Sequence, residues 1–325
     1  MVKVLKIILF FLFFILLIDV GSSIYDFRLT KNHSKIISKP TPLFKLDDDY
    51  GYVYNVGFKE VTINQELVYK ISINEDGTRL NPYFIESENK IAIFGCSFFA
   101  GMGVGDSATV GSQLQKLLKE GFSVYNYSIP GHGMNTQYLK LKELIETQKK
   151  PEVAVFQVAS FHLIRNVGGY SFIKNFSKVK DSPIKYVISK IEDKNEVSFK
   201  TVNISDEYSI FAKYSSIFNF IYSKIKNSAY PTNYQLEIQK RLLTMTYNLC
   251  VEHDISPVFI FITVDEETEK IQKHLQKNNI PYLQSKVDYD DDSFNLNPYD
   301  QHPNERAHKQ YAKELFSYFQ DRGLI

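Results

Sequence analysis

Three short stretches of this chain hold the residue types that acyl chemistry at a serine requires. The first reads Ile93-Phe-Gly-Cys-Ser97-Phe-Phe-Ala-Gly101-Met-Gly-Val104. An apolar run stops at Gly95, a serine follows, and a glycine-rich turn leads onward. A serine so placed stands at the end of a strand with its N–H free to point at a ligand, and a helix beyond it adds positive dipole character. The same residues would also suit a serine capping a helix. The second stretch, Asn126-Tyr-Ser-Ile-Pro-Gly131-His132-Gly133-Met-Asn135, again begins where a strand should end. Its glycines let the backbone approach a bound group and leave an N–H for an oxyanion. The third is Tyr299-Asp300-Gln-His302-Pro303-Asn304. Pro303 suits the first helical position, which would make His302 the N-cap, where the helix dipole disfavours the imidazolium. In extended backbone Asp300 shares a side with His302, so it can hold one ring nitrogen and aim the other at a hydroxyl. An ordinary capped helix start has the same composition.

Those residues need a scaffold, and the apolar pattern supplies one. Lys90–Phe94, Phe122–Asn126, Val153–Gln157, Pro257–Ile262 and the weaker Ile280–Leu283 read as five short buried strands. Amphipathic stretches separate them, and a last helix is expected from Pro303 to Phe319. Strands alternating with helices predict βαβ units, hence an α/β class with a parallel sheet in a three-layer arrangement. Residues 89–325 form this domain, and residues 167–231 break its rhythm as a mostly helical insertion rising from the sheet's C-terminal edge, where such sheets bind ligands. Residues 43–88 alternate in short runs and read as a small β appendage, and residues 23–42 as a polar spacer.

The N-terminus carries Lys3 and Lys6 followed by an unbroken apolar run, Ile7 to Ile18. A basic start before such a run marks residues 1–22 as a signal peptide or membrane anchor, with Val20-Gly-Ser22 as a passable cleavage site. The expected location is extracytoplasmic, in the periplasm or at the cell surface.

Composition excludes some classes. With 38 basic and 37 acidic residues there is no charge excess for nucleic acid. Cys96 and Cys250 form neither a disulfide framework nor a metal motif and read as buried thiols. The acidic run Asp288-Tyr-Asp-Asp-Asp292 lacks calcium-loop spacing and reads as a solvated loop.

Taken together, the three stretches resemble the SGNH/GDSL hydrolase family from about Lys90 to the C-terminus. Gly95-Cys96-Ser97-Phe98 with Gly101, Gly103 and Val104 is similar to its nucleophile block, with Cys96 in place of Asp. Asn126 to Gly133 resembles the second block, and Asp300-Gln-His302-Pro303-Asn304 the last, in an Asp-x-His variant. Asn74-Glu-Asp-Gly77-Thr-Arg79 looks like the Asn-x-x-Gly-x-Arg stretch that precedes the nucleophile in exported branches. The third block departs: where the family has Gly-x-Asn-Asp, this chain has Gln157-Val-Ala-Ser160-Phe161-His162-Leu-Ile-Arg165. The resemblance implies a flavodoxin-like α/β/α domain and a serine esterase of the cell envelope. Ser97 would be the nucleophile, His302 the base and Asp300 its orienter. The Ser97 and Gly131 N–H groups, with His162 or Ser160 for the missing Asn, would receive the oxyanion.

No cofactor or metal is called for. The partners implied are an acyl ester or acylated glycan and, through residues 1–22, the membrane. Two alternatives share these residues. One is an O-acetyltransferase acting on an exported polysaccharide, supplied by a membrane-bound acyltransferase. The other is a non-catalytic protein that binds a glycan or a partner.

Overall fold

The five apolar runs form one parallel sheet in a computed structural model of the chain. The structure describes residues 36–176, 185–192, 196–204, 215–289 and 291–325, with residues 3, 6, 10, 13, 14 and 17–23 before them. Strands β1 (Ile36–Lys39), β2 (Phe44–Asp47), β3 (Gly51–Tyr54), β4 (Gly57–Ile63) and β5 (Leu67–Ile73) precede the domain. The sheet strands are β6 (Lys90–Phe94), β7 (Ser123–Asn126), β8 (Val153–Val158), β11 (Ser256–Phe261) and β12 (Tyr282–Gln284). Their order across the sheet is β7-β6-β8-β11-β12, the flavodoxin-like pattern in which the chain reverses direction beside its first strand.

Period-two alternation places the cores. Ile91, Ile93, Val153, Val155, Val258 and Ile260 face one side, against helices α2 (Val110–Leu118) and α9 (Glu305–Asp321). Ala92, Phe94, Ala154, Phe156, Phe259 and Phe261 face the other, against α3 (Met134–Glu146), α7 (Thr232–Glu252) and α8 (Glu266–Lys277). Both faces are covered, so these strands read as continuous apolar runs. The result is the expected three-layer α/β/α domain.

A third core lies apart from these. Strands β1, β4 and β5 make an antiparallel sheet beside the β2–β3 hairpin. Tyr52, Tyr54, Val61 and Ile71 of this appendage pack with Tyr186 and Ile188 of the insertion. Among its described residues the insertion mixes helix and strand, and it holds an antiparallel hairpin of β9 (Lys185–Ile191) and β10 (Val197–Asn203). Helices α4 (His162–Asn166), α5 (Tyr170–Phe176) and α6 (Ser216–Ser228) flank it. The alternation in Tyr186-Val-Ile-Ser-Lys-Ile191 is a strand signal that the surrounding Lys and Ser obscure. Nor do residues 23–42 form only a spacer, because Ile36–Lys39 pairs with β4 through Ile37↔Thr62. Most of the apolar run 7–18 lies outside the described residues, and among the described residues no helix is long and apolar enough to cross a membrane.

Arg79 joins the appendage to the domain. Its backbone bridges Ile73 of β5 and Asn126 of β7. Its side chain is 2 % exposed and wholly engaged. Nε donates to Asp106 Oδ1 at 2.7 Å, Nη1 to the Ala100 carbonyl at 2.7 Å and the Gly101 carbonyl at 3.1 Å, and Nη2 to the Val104 carbonyl at 2.7 Å. The planar guanidinium thus gathers the turn that follows Ser97, and an ammonium cannot reproduce that fork.

Arg79→Lys should therefore lower stability by roughly 2–4 kcal/mol, since several buried carbonyls lose charged donors. Thermal melts followed by tyrosine near-ultraviolet dichroism read this, and an unchanged melting temperature would refute the clamp. A second expectation concerns acid. His308 is fully buried, both its ring nitrogens lack partners among the described residues, and burial pushes its pKa down to about 3. His132 is pushed to about 3 by burial as well, against a hydrogen bond to the Tyr52 carbonyl that opposes the shift. Between pH 6.5 and 3 the unfolded chain binds protons that the folded chain refuses, so stability falls as pH falls through that window and is independent of these groups above it. The slope is about 1.4 kcal/mol per pH unit for each histidine. His308→Leu should flatten the decline in melting temperature between pH 7 and 5; an unaltered slope would count against it.

Candidate active site

The strand order decides which loops can meet. β7, β6 and β8 are neighbours, so the segments after their C-terminal ends share one edge of the sheet. The loop after β7 continues the pairing, with Tyr127 N–H donating to the Ile93 carbonyl and Ile129 N–H to the Gly95 carbonyl at 3.1 Å. This brings Gly131 alongside the Gly95–Ser97 turn.

Ser97 opens the one-turn helix α1 (Ser97–Ala100) and is 5 % exposed. The turn is held from below by Gln157, whose Oε1 accepts from Cys96 N at 2.7 Å. Gly95 is required there, since a Cβ would lie 2.5 Å from that same oxygen. Gln157 thus positions the serine turn, and the sequence hid this because it lies inside the apolar run of β8. Neither the N–H of Ser97 nor that of Gly131 donates a hydrogen bond within the described residues. Gly131 is buried and holds φ at +84°, a conformation that only glycine adopts without strain. Two unpaired N–H groups at one sheet edge can receive a negative oxygen.

His302 is not the N-cap of the last helix. Helix α9 begins at Glu305, and Asn304 caps it by accepting from Ala307 N at 3.1 Å. Asn304 Nδ2 also donates to the carbonyls of Ser293 and Asn295, bonds that tie the cap to the preceding loop and displace the helix start from Pro303. His302 lies instead in the short strand β14 (Asp300–Pro303), which pairs with β13 (Asn295–Leu296). The extended backbone does put Asp300 and His302 on one side, and His302 Nδ1 is hydrogen-bonded to Asp300 Oδ1. The same oxygen accepts from His302 N at 2.7 Å. Burial would raise the Asp300 carboxyl, yet the His302 hydrogen bond and charge outweigh it and hold the pKa below the ordinary carboxylate value. With Nδ1 so engaged, Nε2 is the nitrogen available as a base.

The last block meets the first through rings. Phe98 lies edge-to-face with His302, centroids 5.2 Å apart, and also packs against Phe161 and Tyr289 at 5.2 Å each. No hydrogen bond joins Ser97 Oγ to the His302 ring; its polar neighbour is Cys96 Sγ at 3.9 Å. His162, at the start of α4, is fully buried with both ring nitrogens unpartnered among the described residues, and burial holds its pKa well below the ordinary value. It stands edge-on to Phe161 at 5.1 Å. His132 faces the appendage, its Nε2 3.2 Å from the Tyr52 carbonyl oxygen. A cavity of about 180 Å³ opens on that side, lined by Gly95, Ile129 and His132 with Tyr50, Tyr54 and Asp76, so it lies behind the loops and not over Ser97.

Nothing at this edge forms a metal-binding group: among the described residues no three His, Cys, Asp or Glu side chains cluster to hold an ion. In the acidic run Asp291 caps a short turn by accepting from Ser293 N, and residue 290 lies outside the described residues. Cys96 and Cys250 are buried and free.

No family model matches the chain, and no curated protein matches it. Among solved structures it aligns with a putative lipolytic protein of the G-D-S-L family from Desulfitobacterium hafniense, at 11% identity and TM-score 0.41, over 70% of this chain and 98% of that one. It also aligns with the psychrotrophic esterase EstA from Pseudoalteromonas sp., at 12% identity and TM-score 0.44, over 73% and 100% of the two chains. A putative GDSL-like lipase from Parabacteroides merdae aligns at 12% identity and TM-score 0.36, over 74% and 98%. The chain is similar to these proteins only at the level of architecture, and the case for its chemistry rests on its own residues.

Proposed function

We propose that the chain is a serine hydrolase of the SGNH type that cleaves ester bonds outside the cytoplasm. The observation that carries the reading is the Asp300–His302 pair packed on Phe98, the residue next to Ser97, beside two unpaired N–H groups. In this reading Ser97 Oγ attacks the acyl carbonyl while His302 Nε2 takes its proton. Asp300 fixes the tautomer and balances the imidazolium. The N–H groups of Ser97 and Gly131 stabilise the oxyanion, and His302 then returns the proton to the leaving alcohol. Water repeats the sequence on the acyl-enzyme. His162 is the candidate for a third oxyanion donor, because its ring is neutral, buried and unpartnered. The absence of a Ser97–His302 hydrogen bond is compatible with catalysis, since such bonds commonly form only when substrate binds. The N-terminal basic and apolar segment supports an envelope location.

A fluorophosphonate probe should label the wild-type protein and leave Ser97→Ala unlabelled. No labelling of wild type would favour a binding protein with a closed serine over an enzyme. Turnover of an activated ester should fall by about 10³-fold or more in His302→Ala and substantially in Asp300→Asn, with the fold intact by circular dichroism. His132→Ala should keep measurable activity, because that ring is turned to the Tyr52 carbonyl. An inactive His132→Ala beside an active His302→Ala would reverse the assignment.

A further inference from the structure

Helix α6 is turned inside out. Ile217, Phe220, Ile221, Lys224 and Ile225 recur at the spacing that lines one side of a helix. On that side Phe220, Ile221 and Ile225 are 61 %, 52 % and 64 % exposed, and no residue of the helix is buried. The opposite side meets the protein through polar and aromatic groups: Asn219 Oδ1 accepts from the Tyr170 hydroxyl at 3.1 Å, and Tyr222 stands edge-on to Tyr170 at 5.1 Å. A helix on a globular domain normally does the reverse, and an exposed apolar patch of this kind marks a contact surface.

What covers it is indicated by what caps it. Asp19 Oδ1 accepts from Ile217 N at 2.9 Å, and Ser23 Oγ accepts from Ser216 N at 3.2 Å. Both acceptors lie in the helical residues that end the N-terminal apolar run. Phe13, Phe14, Leu17 and Ile18 of that run are themselves about half exposed or more. Two apolar surfaces, both exposed among the described residues, are therefore joined at one point. A lipid layer would cover both. Lys224 Nζ lies 5.2 Å from the Phe220 ring centroid, on the outward side. There its long stem can reach the headgroup level while the ring enters the acyl boundary.

We propose that α6 is an interfacial helix whose Ile217, Phe220, Ile221 and Ile225 lie in an anionic phospholipid surface, resting the domain on the membrane its N-terminal segment enters. This goes beyond the hydrolase reading and does not depend on the triad. The chain contains no tryptophan, so one introduced residue reports alone. Full-length Phe220→Trp would be reconstituted in vesicles of phosphatidylcholine and phosphatidylglycerol, with and without brominated acyl chains. Val251→Trp serves as the control, since it is exposed near the far end of the 21-residue helix that follows. Emission from Phe220→Trp should shift to the blue and fall about two-fold or more with brominated lipid, while Val251→Trp does neither. Recovery of the chain without vesicles in a flotation gradient would overturn the proposal. So would water-like, unquenched emission from vesicle-bound Phe220→Trp. A blue shift that grows with protein-to-lipid ratio but resists brominated lipid would assign the face to a second copy of the chain and overturn it equally. Hydrolysis of a soluble ester by Phe220→Trp should match wild type, which keeps this test separate from that of the triad.

Discussion

One buried guanidinium holds this molecule's parts in register. A charge taken from water is costly unless its hydrogen-bonding capacity is met. Arg79 meets it with Asp106 and the carbonyls of Ala100, Gly101 and Val104, all within or just beyond the turn that begins at Ser97. Those carbonyls converge only when the glycine turn is formed, and Arg79 reaches them only when its backbone is stitched between β5 and β7. The appendage and the serine turn are therefore a single electrostatic unit. Neither can be lost without leaving a charge or a set of carbonyls unpaired in the interior.

Around that unit the site is braced from three directions. Gln157 holds Cys96 N from below, Tyr52 donates through its hydroxyl to the Pro130 carbonyl from the appendage, and Phe98 fills the space between the serine turn and His302. The insertion adds Tyr186, whose hydroxyl donates to the Arg165 carbonyl in α4. The loops that carry the candidate chemistry thus rest on side chains from the sheet itself and from parts of the chain that precede and interrupt it. Such support fixes backbone N–H groups in place before any ligand arrives, which is what electrostatic stabilisation of a developing charge requires.

The sheet was legible because its strands are covered on both faces and so appear as unbroken apolar runs. Ser97, Gly131 and the Asp300–His302 pair were legible because glycine, proline and a two-residue spacing constrain local backbone whatever surrounds it. What stayed hidden depends on distant partners. Asn304 takes the cap from His302 because the Ser293 and Asn295 carbonyls hold its amide, a bond across the loop that no local rule anticipates. Tyr186 and Ile188 become strand residues because Tyr52 and Tyr54 offer them a core. The Arg79–Asp106 pair spans the first sheet strand, so neither residue announces the other.

One smaller contact sets the order in which the molecule can become whole. Asn64, in the turn between β4 and β5, donates through its side-chain amide to the Tyr299 carbonyl at 2.8 Å across a separation of 235 residues. The β4–β5 hairpin is local and can form early, whereas closing so long a loop carries an entropic cost that must be met before the contact repays it. During synthesis the appendage and the serine turn emerge long before the strand that bears His302. A growing chain therefore holds Ser97 before His302 has been made, and the Phe98–His302 contact can form only once β14 exists. Completion of the site is in this sense a late, long-range step, and it coincides with completion of the fold.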